Sequence, residues 1–314
     1  MNKPVAATLE DGSLGLAKRL RKRVDLFPYL LLAPIAILLT FVIVFPLYEA
    51  VRLALTDASL LNPSRARFIG LRNFVNLFGD HIFIDGIWRT VRWVAAVVLI
   101  EIALALPIAL FLNREFFGRG FLRAAVMVPY ITPPAVVALL FLYIFDGNFG
   151  IANEMLVKLG YQETYTAWMS DPTSSFWIVV AAMVWYGMPL MALILLAALQ
   201  TIPEELYEAA DVDGASAWTQ FWRITVPHIL PSIMFLGLLR TIWMSNHIDM
   251  IFIMTTGGPG FSNYTEAVYS FKLTDEFRIG YASAVAVALS AVLMVGAALY
   301  VRYLARSVLK QASN

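Results

Sequence analysis

The sequence predicts an all-α polytopic membrane protein: six transmembrane helices, with a cytoplasmic polar hairpin between the fourth and fifth. Three observations predict it. Hydrophobic residues make up 60% of the 314 positions and charged residues only 14%, outside the usual balance of a soluble chain. The apolar residues gather in blocks of about twenty, the length a helix needs to cross the hydrocarbon core. Between two of these blocks lies a polar, acidic-then-aromatic stretch, residues 200–228, far longer than topology requires.

Taken in order, the first 26 residues are polar and lack the short apolar region and small-residue cleavage site of a secretory signal, so they read as a tail. Apolar blocks follow at about 27–54, 88–112, 122–146, 174–199, 229–254 and 279–304, forming a transmembrane domain over 27–304. Segments of this length must be helical in lipid, because each has to satisfy its own backbone hydrogen bonds. Residues 305–314 form a second tail.

The basic run Lys18 to Arg23 before the first span sets the orientation, with both tails, the 113–121 loop and the hairpin cytoplasmic. Arg65, Arg67, Arg72, Arg89 and Arg92, which flank the second span on the opposite side, run against that rule. The outer connection after the fifth span carries "TTGGPG" (Thr255 to Gly260), whose Gly and Pro force a turn. It serves either as a plain loop or as a docking point for an external partner. Tyr264 to Phe277 mixes aromatics with charges in the manner of a short interfacial helix.

Several functions are excluded. The chain has no Cys, hence no disulfide or thiolate site, and its three His are scattered. No G-x-x-x-x-G-K-[ST] occurs, so a P-loop cannot be built.

In the polar stretch, Thr201, Pro203 and Glu204 suit a helix start, with Thr201 as cap and Glu204 at the capping-box position. Gly214 suits its C-terminal stop. Ser216 then caps a second helix through Trp218, Phe221 and Trp222, ended by Pro227 and Pro231. Its acidic residues either solvate a loop or face a basic groove on another protein.

The pattern Glu208-Ala209-Ala210, three residues, Gly214, nine residues, Ile224-Thr225-Val226-Pro227 resembles the EAA loop of ABC-importer permeases, with Val226 where that loop has Leu. "LILLAALQTIPEELYEAADVDGA" before it, and "IDMIFIMTTGGPG" and "GYASAVAV" after it, resemble the carbohydrate-uptake branch, of the maltose permease type. The resemblance covers about residues 25–308. It implies that the hairpin is a coupling helix seated in a cytoplasmic ATPase, with Glu204, Glu208 and Asp213 on its polar side. Ala209 and Ala210 would allow close approach, and Gly214 would make the bend. It further implies a second permease subunit, two ATP-binding cassette subunits, and a periplasmic or extracellular solute-binding protein. No cofactor would be bound by this chain, which would not itself be an enzyme; ATP and Mg would sit on the partner subunits. The location implied is the bacterial cytoplasmic (inner) membrane.

Ionisable groups inside a span are functional candidates by default. Glu101 in "VVLIEIALAL" and Arg240 in "LGLLRTIWMSNHIDM" either pair across the bundle or act separately, Arg240 then facing an anionic substrate. Trp243, Asn246 and His247 offer an aromatic face and hydrogen-bonding groups, the mixture a sugar needs. Trp185 and Tyr186 lie beside Gly187 and Pro189, where a helix irregularity is expected, as in many transporter sites. Each of these also suits packing or interhelical hydrogen bonding. The expected function is translocation of a sugar or glycoside by alternating access, driven by ATP. A secondary transporter or channel is the alternative; it predicts coupling carboxylates in several spans, where only Glu101 is so placed.

Overall fold

A computed structural model describes residues 27–62 and 65–312, with side chains from Leu30 to Tyr303. The basic run Lys18 to Arg23 lies outside the described residues. The chain divides into two units, one ending at Ala50 and the other beginning at Val51.

In the first unit, α1 (Phe27–Leu39) passes through a π-turn (Thr40–Val44) into α2 (Phe45–Ala54), whose last residues belong to the second unit.

The second unit is a helical bundle. Short α3 (Arg72–Leu77) is fastened by Asn73, whose side-chain amide donates to the carbonyls of Ala54 and Thr56, both at 2.8 Å. Asp80 then caps α4 (His81–Asn113), accepting from the amides of Ile82 and Phe83. This cap starts the second span several residues ahead of its apolar block. One stripe of α4 is buried, through Gly86, Thr90, Trp93, Val97, Glu101, Ala105, Ala109 and Leu112, as the 3.6-residue repeat requires.

The third apolar block is bent. α5 (Arg119–Val126) and α6 (Val128–Ile131) meet α7 (Pro134–Ile144) at 88°. Pro133 and Pro134 lack N–H donors and push the residue before each into extended backbone, here Thr132 at ψ 132° and Pro133 at ψ 135°. After α8 (Ile151–Lys158), α9 (Pro172–Leu199) forms the centre of the bundle, with 61% of its apolar window buried. It runs unbroken through Pro189, so the irregularity expected beside Trp185 and Tyr186 is absent.

α10 (Glu205–Val212) and α11 (Ala217–Gln220) make the hairpin. α11 continues through a π-turn (Phe221–Thr225) into α12 (Val226–Ser245). Pro227 and Pro231 therefore do not end this helix, contrary to expectation. Pro227 follows directly on the π-turn, whose wider ladder is already offset from the α-helical one. The fifth block breaks instead at Asn246–Ile248 and resumes as α13 (Asp249–Thr255).

Beyond it, Thr256, Gly257 and Gly260 take positive φ and turn the chain. α14 (Glu266–Asp275) follows. One face of it is packed on the bundle: Glu266, Ala267, Val268, Tyr269 and Leu273 are buried, Val268 in the core it shares with α4 and α9, while Phe271, Thr274 and Asp275 are exposed. Asp80 ties the assembly together by accepting the hydroxyls of Tyr269 at 2.6 Å and of Tyr281, on the last helix, at 2.7 Å. That helix, α15 (Ile279–Ala312), is helical over most of the expected tail. Among the described residues, five helices are long and apolar enough to cross a membrane, or six if the bent pair counts as one span.

Candidate functional site

Glu101 on α4 and Arg240 on α12 meet in the middle of the bundle. Arg240 Nε donates to Glu101 Oε2 at 2.7 Å, and Nη2 donates to Oε1, so the pairing is bidentate. Glu101 is fully buried and Arg240 5% exposed. α9 passes this pair at Gly187, where a Cβ would overlap both Glu101 Oε1 and Arg240 Nη2. Of the two roles open to Arg240 in the sequence, the pairing is the one the structure contains.

Beside the pair lies a cavity of about 400 Å³, lined by Tyr130, Tyr186, Arg240, Trp243, Asn246, His247 and Asp249 among others. Tyr130, on α6, stacks on Tyr186 of α9 with ring centroids 5.5 Å apart. The break after Ser245 exposes polar groups that an unbroken helix would bury in its own ladder. Asn246 Nδ2 reaches back to the Ile242 carbonyl at 2.9 Å, and His247 Nε2 accepts from the Met250 amide at the start of α13. Trp243, 45% exposed, stands free at the cavity edge. Trp185 does not line this cavity. Its ring packs toward Phe141, 6.2 Å between centroids, against the core shared by α4, α9 and α13. Tyr130 and Asp249 were not among the sequence candidates for the pathway. The proline cluster in "VPYITPP", which places Tyr130 at the bent span, was the signal available for the first.

At the opposite end of α9 is the hairpin. Thr201 does not cap it, because its hydroxyl bonds back to the Ala198 carbonyl at 2.7 Å; α10 begins at Glu205, with Glu204 in the cap position but making no cap bond. Gly214 stops α10 with φ +74°, and Ala215 N–H closes onto the Ala210 carbonyl at 2.9 Å. Ser216 Oγ accepts from Thr219 N–H and caps α11. Tyr207 OH bonds Thr225 Oγ1 at 2.9 Å, anchoring α10 to the helix that leads to Arg240. Glu204, Glu208, Ala209, Asp213 and Gly214 are exposed, Ala210 half-buried. So are large apolar groups, Val212 at 89% and Trp218 at 71%.

At the end of the bundle away from the hairpin, burial alone would raise the Asp80 carboxyl, but hydrogen bonds from Tyr269, Tyr281 and the Phe83 and Ile82 amides hold it below its ordinary value. Glu266 has no such help: both carboxylate oxygens are buried without a partner. Burial, and then the charge of Asp80, push it up to about 8. No cluster of metal-ligating side chains occurs among the described residues.

Residues 101–310 match the family of binding-protein-dependent transport system inner membrane components. The chain belongs to that family. It is therefore an inner-membrane permease subunit of a binding-protein-dependent importer. The sulfoquinovosyl glycerol transport system permease protein SmoG of Agrobacterium fabrum is 37% identical over 278 residues, covering 88% of this chain and 90% of the relative. The trehalose/maltose transport system permease protein MalF of Thermococcus litoralis is 32% identical over 272 residues, covering 87% and 91%. In fold the permease is similar to a chain of a bacterial alginate ABC transporter crystallised with an alginate pentasaccharide-bound periplasmic protein. The TM-score is 0.76 at 23% identity, covering 88% of this chain and 93% of that one.

Proposed function

We propose that this permease translocates a saccharide or glycoside through the cavity between α6, α9 and α12, and that its 205–220 hairpin is the joint through which a separate ATPase drives it. The observation that carries the second part is the construction of the hairpin. A short acidic helix, α10, is tied by the Tyr207–Thr225 bond to the stretch Ala217–Ser245, in which α11 runs through the π-turn into the helix bearing Arg240 and Trp243. A push on Glu208 is thereby transmitted along α12 to the cavity wall.

For the solute, the cavity offers aromatic faces for ring C–H groups and amide, phenol and imidazole groups for hydroxyls. Arg240 brings no unbalanced charge, since Glu101 already neutralises it. The names of the relatives point to the same class of solute. Mg and ATP belong on the partner ATPases, of which there are two. A second permease subunit completes the pathway and an external solute-binding protein delivers to it. Both termini and the hairpin face the cytoplasm. Alternating access then requires that the solute bind the two states with different affinity.

The test is purification of the co-expressed assembly from detergent extracts, comparing wild type with Glu208→Lys. Copurification of an ATPase with wild type, and loss of it or of solute-stimulated hydrolysis in the variant, is expected. Unchanged uptake in Glu208→Lys, with no ATPase ever copurifying, refutes the reading.

A further inference from the structure

The end of the bundle away from the hairpin holds a second polar cavity, of about 390 Å³, between the starts of α4 and α9. Its walls carry Arg89 and Arg92, flanked by Trp88 at 71% and Trp177 at 51% exposure. We propose that it binds the headgroup phosphate of an anionic phospholipid.

Direction comes first. Arg92 precedes Glu101 by nine residues on α4, and Trp177 precedes Tyr186 by nine on α9. Nine residues are about 2.5 turns, so each lies on the side of its helix opposite the central pair and the solute cavity. Arg92 and Trp177 therefore lie on the faces away from the pathway, with Phe176, eleven residues before Gly187, on the inner stripe of α9. Depth agrees: at about 1.5 Å per residue, Arg92 stands about 14 Å and Arg89 about 18 Å along α4 from Glu101 near mid-span. Half the hydrocarbon thickness is about 15 Å, so both guanidinium groups sit at headgroup level, where exposed Trp rings are also favoured.

The donors are held and incompletely used. Arg92 lies over the Phe176 ring, 4.1 Å from its centroid, and donates from Nη2 to the Ser262 carbonyl at 2.9 Å. Arg89 Nη2 contacts Asp85 at 3.4 Å, while Arg89 Nη1 and Ser262 Oγ are buried with no hydrogen-bond partner. Two guanidinium groups against the Asp85 carboxylate leave one net positive charge, which matches one phosphodiester. A zwitterionic headgroup brings its own cation to the same place. Two of the five arginines that run against the charge rule of orientation, Arg89 and Arg92, thus have a use on that side.

The test is titration of the purified full-length assembly with phosphatidylglycerol, read by native mass spectrometry, with phosphatidylcholine as control. Wild type should bind phosphatidylglycerol about fivefold more tightly than Arg89→Gln or Arg92→Gln, the worth of one basic residue near an anionic surface. Asp85→Asn, which removes an exposed carboxylate, should bind it more tightly than wild type, and phosphatidylcholine should not distinguish the variants. Equal binding of phosphatidylglycerol by wild type and Asp85→Asn overturns the proposal whether or not the arginine variants assemble. Displacement of the lipid by millimolar inorganic phosphate or galacturonate overturns it too, since the pocket would then serve a soluble anion.

Discussion

Removing one member of the Glu101–Arg240 pair tests the centre of the permease most directly. The pair is bidentate, with one donor–acceptor distance at 2.7 Å, and its members are fully buried and 5% exposed. At about 4 Å between charge centres and an effective dielectric of 20, their gross attraction is about 4 kcal/mol. Taking both ions out of water costs several kcal/mol each, so the pair contributes little net stability over a well-packed apolar substitute. Breaking it is different. Glu101→Ala strands a buried guanidinium, and Arg240→Ala a buried carboxylate, each costing about 3–5 kcal/mol. The double variant Glu101→Leu/Arg240→Met should recover most of that loss, and exchange of the two residues should recover part. The assay is the thermal midpoint of the purified protein, read with the yield of monodisperse material. Single variants as stable as wild type would refute the reasoning. So would a double variant as poor as the worse single one, since the two losses would then be independent rather than coupled.

Three further predictions follow from the same structure. Gly187→Ala places a methyl on Glu101 Oε1 and Arg240 Nη2, and should lower the thermal midpoint of wild type but far less that of Glu101→Leu/Arg240→Met. Glu266, raised from 4.5 to about 8, carries a proton in the folded state that the unfolded chain has lost. Stability should fall as pH rises from about 4.5 to 8 and level off above; the upper bound on the loss is about 5 kcal/mol, and Glu266→Gln should abolish this slope in a series of melting curves. Gly214→Ala meets no atom within 4 Å, so its cost is only that of a left-handed backbone, about 1 kcal/mol, and should appear as weakened ATPase copurification with a melting point lowered by only a few degrees.

Local signals in the sequence were sufficient wherever the cause and its effect lie within a few residues. The apolar blocks of α4, α9 and α15, the Ser216 cap and the left-handed Gly214 are of this kind, because a cap or a turn is decided by one residue and its near neighbours. The polar pattern of 200–228 likewise marked the hairpin, and two charges in apolar runs marked Glu101 and Arg240. What distance decides was not legible. Prolines read alike in sequence, yet the span at Pro133 and Pro134 bends by 88° while Pro189 and Pro231 sit inside unbroken helices. The fifth span breaks at Asn246 rather than continuing, and Asn246 and His247 line one cavity with Tyr130 and Tyr186, while Trp185 packs against the core. α14 looks amphipathic, but contact with α4 and α15 buries its acidic first residue, since burial belongs to the packed neighbours and not to the segment. Composition and short-range pattern thus determined the class, the helices and the hairpin; packing between helices far apart in the chain decided which of the polar residues meet.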